Sequence, residues 1–137
     1  MIAGAAAAFG WLGHERSQEQ GSAAQLALGA RLYAERCASC HGARLEGQSN
    51  WQESLSNGRM PAPPHDATGH TWHHSDEELF TITKHGLAAL VPGYESDMPA
   101  FDGSLSDEEI RVILAFIKST WPKAEREYQR TRSRSGR

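Results

Sequence analysis

The feature that most constrains this chain is a pentapeptide that begins at Cys37. It reads Cys37-Ala38-Ser39-Cys40-His41, the Cys-x-x-Cys-His pattern through which a c-type haem is attached. Thiols three positions apart lie about one helical turn from each other, so both can form thioethers with the two vinyl groups of one porphyrin. The adjacent imidazole is then a nitrogen ligand that suits iron. The pattern therefore predicts one covalently attached haem, with thioethers at Cys37 and Cys40 and His41 as proximal ligand.

Paired cysteines also occur in thioredoxin-like redox sites and in zinc fingers. A thioredoxin-like redox pair follows a strand of a βαβ unit, whereas the segment before Cys37 is helical in pattern. A zinc finger places its histidines about twelve to fifteen residues after the second cysteine. The next histidines, at positions 65 to 74, lie much farther along the chain. Both alternatives fit the residues less well than haem.

Charge divides the chain unevenly. Residues 123–137 carry six basic side chains and two acidic ones, a net charge of +4. Because the whole chain has a net charge of −3, the remaining residues carry −7. An acidic body argues against nucleic-acid binding. The basic, Arg- and Ser-rich tail, residues 123–137, is predicted to be disordered and solvated, with contact to an acidic partner or to lipid head groups as the alternative.

The first 21 residues contain an uncharged apolar run, residues 2–12. This run is too short to span a bilayer comfortably, and it resembles the apolar region of a secretory signal. The basic segment that normally precedes such a region is missing, so we expect the true start to lie upstream. Haem attachment to two cysteines normally happens outside the cytoplasm. We therefore expect a periplasmic or otherwise exported protein, with residues 1–21 as a signal or a membrane anchor.

The rest of the chain predicts an all-α fold of three to four short helices around one haem. Apolar residues at helical spacing predict a helix from residue 22 to 36, in which Gly29 allows another helix to approach closely. Capping boxes start two more helices, Ser75 with Glu78 and Ser106 with Glu109. The segment 42–74 is rich in loop-forming residues, and a loop of this length is expected to wrap the porphyrin. A second loop is predicted at residues 87–104.

This order of elements, together with Met98-Pro99-Ala100-Phe101 before the final predicted helix, resembles the class I cytochrome c family over residues 22–122. The resemblance implies that Met98 supplies the second axial ligand. Met60 also precedes a proline but lies only nineteen residues after His41, so it is the weaker candidate. The resemblance further implies that Gly29 and Tyr33 pack against Phe116, and that a carbonyl from residues 61–64 accepts a hydrogen bond from the proximal imidazole.

Four histidines lie in the first loop, namely His65, His70, His73 and His74. Three interpretations remain open: exposed or hydrogen-bonded side chains, a second transition-metal site, and a histidine that replaces Met98 on the iron. In the first interpretation Trp51 and Trp72 are candidates for contact with the haem propionates or edge, since an indole combines a donor with a large apolar body.

A haem with both axial positions filled leaves no position for substrate, so the predicted function is electron transfer and not catalysis. The expected partners are a redox donor and a redox acceptor protein of a respiratory or dehydrogenase system. One alternative is a dedicated cytochrome subunit of a larger oxidoreductase. Another is a haem gas sensor with a labile sixth ligand. The single Cys-x-x-Cys-His motif excludes a two-haem peroxidase.

Overall fold

The computed structural model describes residues 22–135, and the predicted signal or anchor, residues 1–21, lies outside them. Five α-helices and two short 3₁₀ turns, Thr71–His73 and Leu87–Ala89, make up the regular structure of this part. The helices are α1 (residues 22–36), α2 (Ala38–His41), α3 (Asp76–His85), α4 (Asp107–Ser119) and α5 (Lys123–Ser135). The described residues contain no strand, which confirms the all-α prediction. None of their helices is long and apolar enough to cross a bilayer.

Helices α1 and α4 cross at Gly29, as the sequence predicts. A Cβ atom at this position would lie 2.0 Å from the backbone oxygen of Val112 and 3.0 Å from the Cβ of Phe116. One turn later the ring of Tyr33 packs on Phe116, with 5.5 Å between ring centroids. The backbones of the two helices therefore touch, and only glycine permits this contact.

Both predicted capping boxes are present. The Ser75 hydroxyl accepts a hydrogen bond from the backbone N–H of Glu78 at 3.2 Å, and the Glu78 carboxylate accepts one from the Ser75 N–H at 2.8 Å. Ser106 and Glu109 repeat this arrangement at the start of α4. These bonds satisfy N–H groups that have no partner within the helix, which fixes where α3 and α4 begin.

A single apolar core joins the helices to the loops. Ile110, Ile113 and Ile117 of α4 are almost fully buried, as is Trp121, which is 1% exposed. The Trp121 indole donates to the backbone oxygen of His65 at 2.7 Å. Through this bond the C-terminal end of the core fixes the loop that follows the haem motif.

The prediction of a disordered tail is wrong for residues 123–135, which form α5 directly after Pro122. The helix packs against the 3₁₀ turn Thr71–His73 through Tyr128. The Tyr128 ring meets the Trp72 ring edge-on, with 5.4 Å between their centroids. Its most buried residue is Gln129, at 2% exposure. The Gln129 amide donates to Asp76 at 2.8 Å and to the His74 carbonyl at 3.3 Å. Because the buried face is polar, α5 has no apolar stripe that would reveal it in the sequence.

We expect Gln129→Ala to reduce the free energy of unfolding by about 1–3 kcal/mol, because it removes the hydrogen bonds that the buried Gln129 amide donates to a carboxylate and to a backbone carbonyl. Urea unfolding of the haem-loaded protein measures this loss. Thr131→Ala is the matched control, since the Thr131 hydroxyl contacts only the Glu127 carbonyl of its own helix. Equal losses in the two variants would mean that Gln129 does not anchor α5.

A second prediction concerns acid unfolding. Burial raises the pKa of Asp76, but hydrogen bonds from Lys118 and Gln129 outweigh it and hold the pKa below its ordinary value. An acid whose pKa is lowered by folding stabilises the protein above the unfolded pKa, here about 3.9. This contribution is lost as pH falls further. We expect Asp76→Asn to be less stable than the wild type at pH 7, and the difference to shrink below about pH 4.

Unfolding curves collected from pH 7 to pH 2.5 test this expectation. Glu77→Gln is the control, because Glu77 is the exposed neighbour of Asp76 on the first turn of α3. A constant difference between wild type and Asp76→Asn across this range would contradict the assigned role of the carboxylate.

Candidate haem site

Helix α2 places the two cysteines and the histidine of the motif on one short turn. Cys37 precedes the helix, and its carbonyl accepts hydrogen bonds from the backbone N–H groups of Cys40 at 3.1 Å and His41 at 2.9 Å. Both cysteines are free thiols, Cys37 half-buried and Cys40 exposed. Burial, and secondarily the neighbouring Cys40, raises the pKa of Cys37 to about 11. The two sulfurs are therefore unpaired and on the same turn, as two thioether bonds to one porphyrin require.

The His41 side chain is buried and has one fixed hydrogen bond. Its Nδ1 lies 2.8 Å from the backbone oxygen of Pro63. A carbonyl can only accept, so Nδ1 donates and Nε2 keeps its lone pair. Burial lowers the pKa of His41, although the Pro63 bond opposes this. A neutral imidazole with a free Nε2 is the form that binds a metal, and the bond to Pro63 fixes its tautomer. The expected carbonyl from residues 61–64 is confirmed as that of Pro63.

Close backbone contacts hold the loop that carries Pro63. A Cβ at Gly69 would lie 2.0 Å from the Pro64 oxygen, and one at Gly47 would lie 2.4 Å from the Pro64 nitrogen. The chain before and after the prolines therefore closes directly onto them. As a result the Pro63 carbonyl is held towards His41 by the backbone.

The two methionines that precede prolines differ in their surroundings. Met98 is half-buried and packs against the hydrophobic core. The sulfur of Met60 instead accepts a hydrogen bond from the Ser54 hydroxyl at 3.4 Å. Arg59 forms an ion pair with Asp97, beside Met98, and so ties the two loops together. Met98 therefore lies against the core, whereas Met60 is hydrogen-bonded within its own loop.

These residues fit a covalently attached haem, because two unpaired thiols lie beside a buried imidazole whose Nε2 is free. A family model described as "Cytochrome C oxidase, cbb3-type, subunit III" matches residues 24–117. The chain belongs to this cytochrome c family. Neither the curated proteins nor the solved structures contain a match.

Membership confirms the resemblance to monohaem class I cytochromes and the haem c cofactor, which is covalently bound. This cytochrome c domain therefore functions in haem-based electron transfer, and its partners are redox proteins. This domain type is that of an electron-transfer protein.

Three of the four loop histidines of the cytochrome c domain lie against aromatic or acidic side chains. The ring centroids of His70 and Trp51 are 5.4 Å apart, those of His73 and Trp72 are 3.8 Å apart, and His74 faces Glu78. His70 and His74 also meet edge-on, with 5.5 Å between their ring centroids. Within residues 22–135 no group of three or more His, Cys, Asp or Glu side chains could hold a metal ion. The described residues therefore do not support a second metal site of that size.

Two side chains of this loop have partners that the sequence did not reveal. The Trp72 indole donates to the Ala67 carbonyl at 3.3 Å, so its N–H is already bonded within the loop. His65 stacks directly on His41, with 3.9 Å between ring centroids. Burial, together with the nearby His41 and His70, lowers the pKa of His65 to about 3, so this imidazole is neutral at physiological pH.

Proposed function

We propose that this cytochrome c domain carries single electrons between redox protein partners by outer-sphere transfer. In this proposal Cys37 and Cys40 hold haem c through thioethers, and His41 and Met98 are the axial ligands. The observation that carries it is the buried His41 imidazole, whose Nδ1 is bonded to Pro63 and whose Nε2 is free. The half-buried position of Met98 against the core supports its role as the second ligand.

Haem c, when bound, supplies the ferric/ferrous couple of its iron, which takes up and releases one electron. The residues of the chain set the potential of this couple and the access to the iron. A His41 nitrogen and a Met98 sulfur would hold the iron and would raise its reduction potential relative to two imidazoles. Two side-chain ligands would also leave no position on the iron for a substrate. The Pro63 carbonyl holds the proton on His41 Nδ1 and increases the basicity of Nε2.

A second candidate function is a dedicated subunit of a larger oxidoreductase, which the oxidase description of the matching family favours. In either role we propose that the domain is exported, with donor and acceptor proteins outside the cytoplasm. Gel filtration of the native protein distinguishes the two functions, because a subunit elutes with a catalytic chain and a free carrier elutes alone.

The absorption spectrum of the haem-loaded protein tests ligation. We expect a weak far-red sulfur-to-iron band in the ferric form and no change when carbon monoxide is added to the ferrous form. Ready binding of carbon monoxide without that band would show an open iron position. In that case the gas-sensor alternative would replace electron transfer.

A further inference from the structure

The His41 ring has an aromatic neighbour, His65, that the proposed function does not use. The two imidazoles stack with their centroids 3.9 Å apart and their planes 22° from parallel. The His65 ring also meets Tyr33 of α1 edge-on, with 6.3 Å between ring centroids. His65 therefore contacts both the α1 helix and the proposed proximal ligand.

Hydrogen bonds fix the His65 ring and its backbone. Its Nδ1 lies 2.8 Å from the Thr71 hydroxyl, which itself donates to the Pro64 carbonyl at 3.3 Å. A hydroxyl has one proton, so Thr71 accepts from His65, and the His65 proton is on Nδ1. The His65 backbone is bonded to Leu45 at 2.8 Å through its N–H, and its carbonyl is bonded to Trp121. The ring that stacks on His41 thus has little freedom to rotate.

The hydrogen bond to Pro63 restrains the rotation of the His41 ring plane only loosely. Donors approach a carbonyl oxygen over a broad range of directions. One such bond therefore fixes the tautomer of the ring more firmly than the angle of its plane. A rigid aromatic face at stacking distance restrains that angle directly, because rotation of His41 would bring its edge into His65.

We propose that His65 is a positioning residue that sets the angle of the His41 ring plane, and through it the orientation of the proximal ligand on the haem. This inference rests on the proposed role of His41 as a haem ligand. His65 makes no bond to the metal in this role, and its aromatic face, not its charge, is what acts.

The test compares His65→Ala with His65→Phe in the haem-loaded protein. Electron paramagnetic resonance of the ferric form is the readout, because its g-values respond to the angle of the axial ligand planes. We expect His65→Ala to shift and broaden the g-values. His65→Phe keeps an aromatic face without the Thr71 bond, so its g-values should stay near those of the wild type. Thr71→Val, which removes the restraint on His65, should give a smaller shift than His65→Ala.

Two results would overturn the inference. One is wild-type g-values in His65→Ala together with a lower melting temperature, which would make His65 a packing residue only. The other is an equal shift in the Ala and Phe variants, which would exclude the stacked face as the cause. If the wild type itself has no low-spin ferric signal, the proposed axial ligation fails, and the inference is overturned with it.

Discussion

Met98→Ala is expected to abolish the far-red sulfur-to-iron band and to open the ferrous iron to carbon monoxide. Alanine has no donor atom, so the position opposite His41 would be filled by water or by another side chain. The reduction potential should fall, because a thioether ligand favours ferrous iron. Ferric and ferrous absorption spectra and a redox titration measure these changes.

Met60→Ala is the matched control, because Met60 also precedes a proline but its sulfur is bonded to the Ser54 hydroxyl. This variant should keep the far-red band, the closed iron position and a near-normal potential. The reverse pattern, with the band lost in Met60→Ala and kept in Met98→Ala, would reassign the ligand. Loss of the band in both variants would indicate that the loops that contain them depend on each other.

Gly29→Ala is expected to lower the free energy of unfolding by about 3 kcal/mol or more, at or above the upper end of the range for overpacked cores. The added Cβ would lie 2.0 Å from the Val112 backbone oxygen, and a backbone atom inside α4 cannot move aside alone. Helices α1 and α4 would have to separate, which would also disturb the Tyr33–Phe116 contact. The gain of about 1 kcal/mol from replacing a helical glycine is too small to offset this.

Gly103→Ala separates steric overlap from the other effects of replacing a glycine. Gly103 has a φ of +79°, and a Cβ built there meets nothing within 4 Å. Its substitution should therefore cost only the backbone strain of about 1–2 kcal/mol. Guanidinium unfolding of both haem-loaded variants makes the comparison. If Gly29→Ala proved no more destabilised than Gly103→Ala, the close crossing of α1 and α4 would not exist in solution.

The parts of the fold that the sequence predicted correctly depend on local rules. A capping box needs only Ser75 and Glu78 at the right spacing. A glycine inside a helix, such as Gly29, lets the backbone of a second helix come close. The Pro63 carbonyl is an exception, because the resemblance to class I cytochromes c, and not a local rule, predicted its hydrogen bond to His41. Met98 as the axial ligand stays a prediction until the spectra are measured.

The features that the sequence did not reveal depend on contacts between distant segments. Gln129 fixes the α5 helix through hydrogen bonds to a carbonyl and a carboxylate more than fifty positions away. Such a polar contact produces no periodic pattern of apolar residues in the sequence. The stack of His65 on His41 arises because the loop folds back onto itself at Gly47 and Gly69. In the sequence, His65 was one of four similar histidines in a segment without periodicity.

The ordered C-terminal helix also changes how the molecule behaves before it meets a partner. Residues 22–122 contain seven basic and thirteen acidic side chains, whereas Lys123–Ser135 contains five basic and two acidic ones. A disordered tail would spread its positive charge over many positions, but α5 holds it at one side of an acidic body. The described residues therefore have a positive helix attached to a negative body, which is an electric dipole. In the field of a charged protein this dipole exerts a torque, so the cytochrome turns towards a preferred approach while the two surfaces are still separated by water.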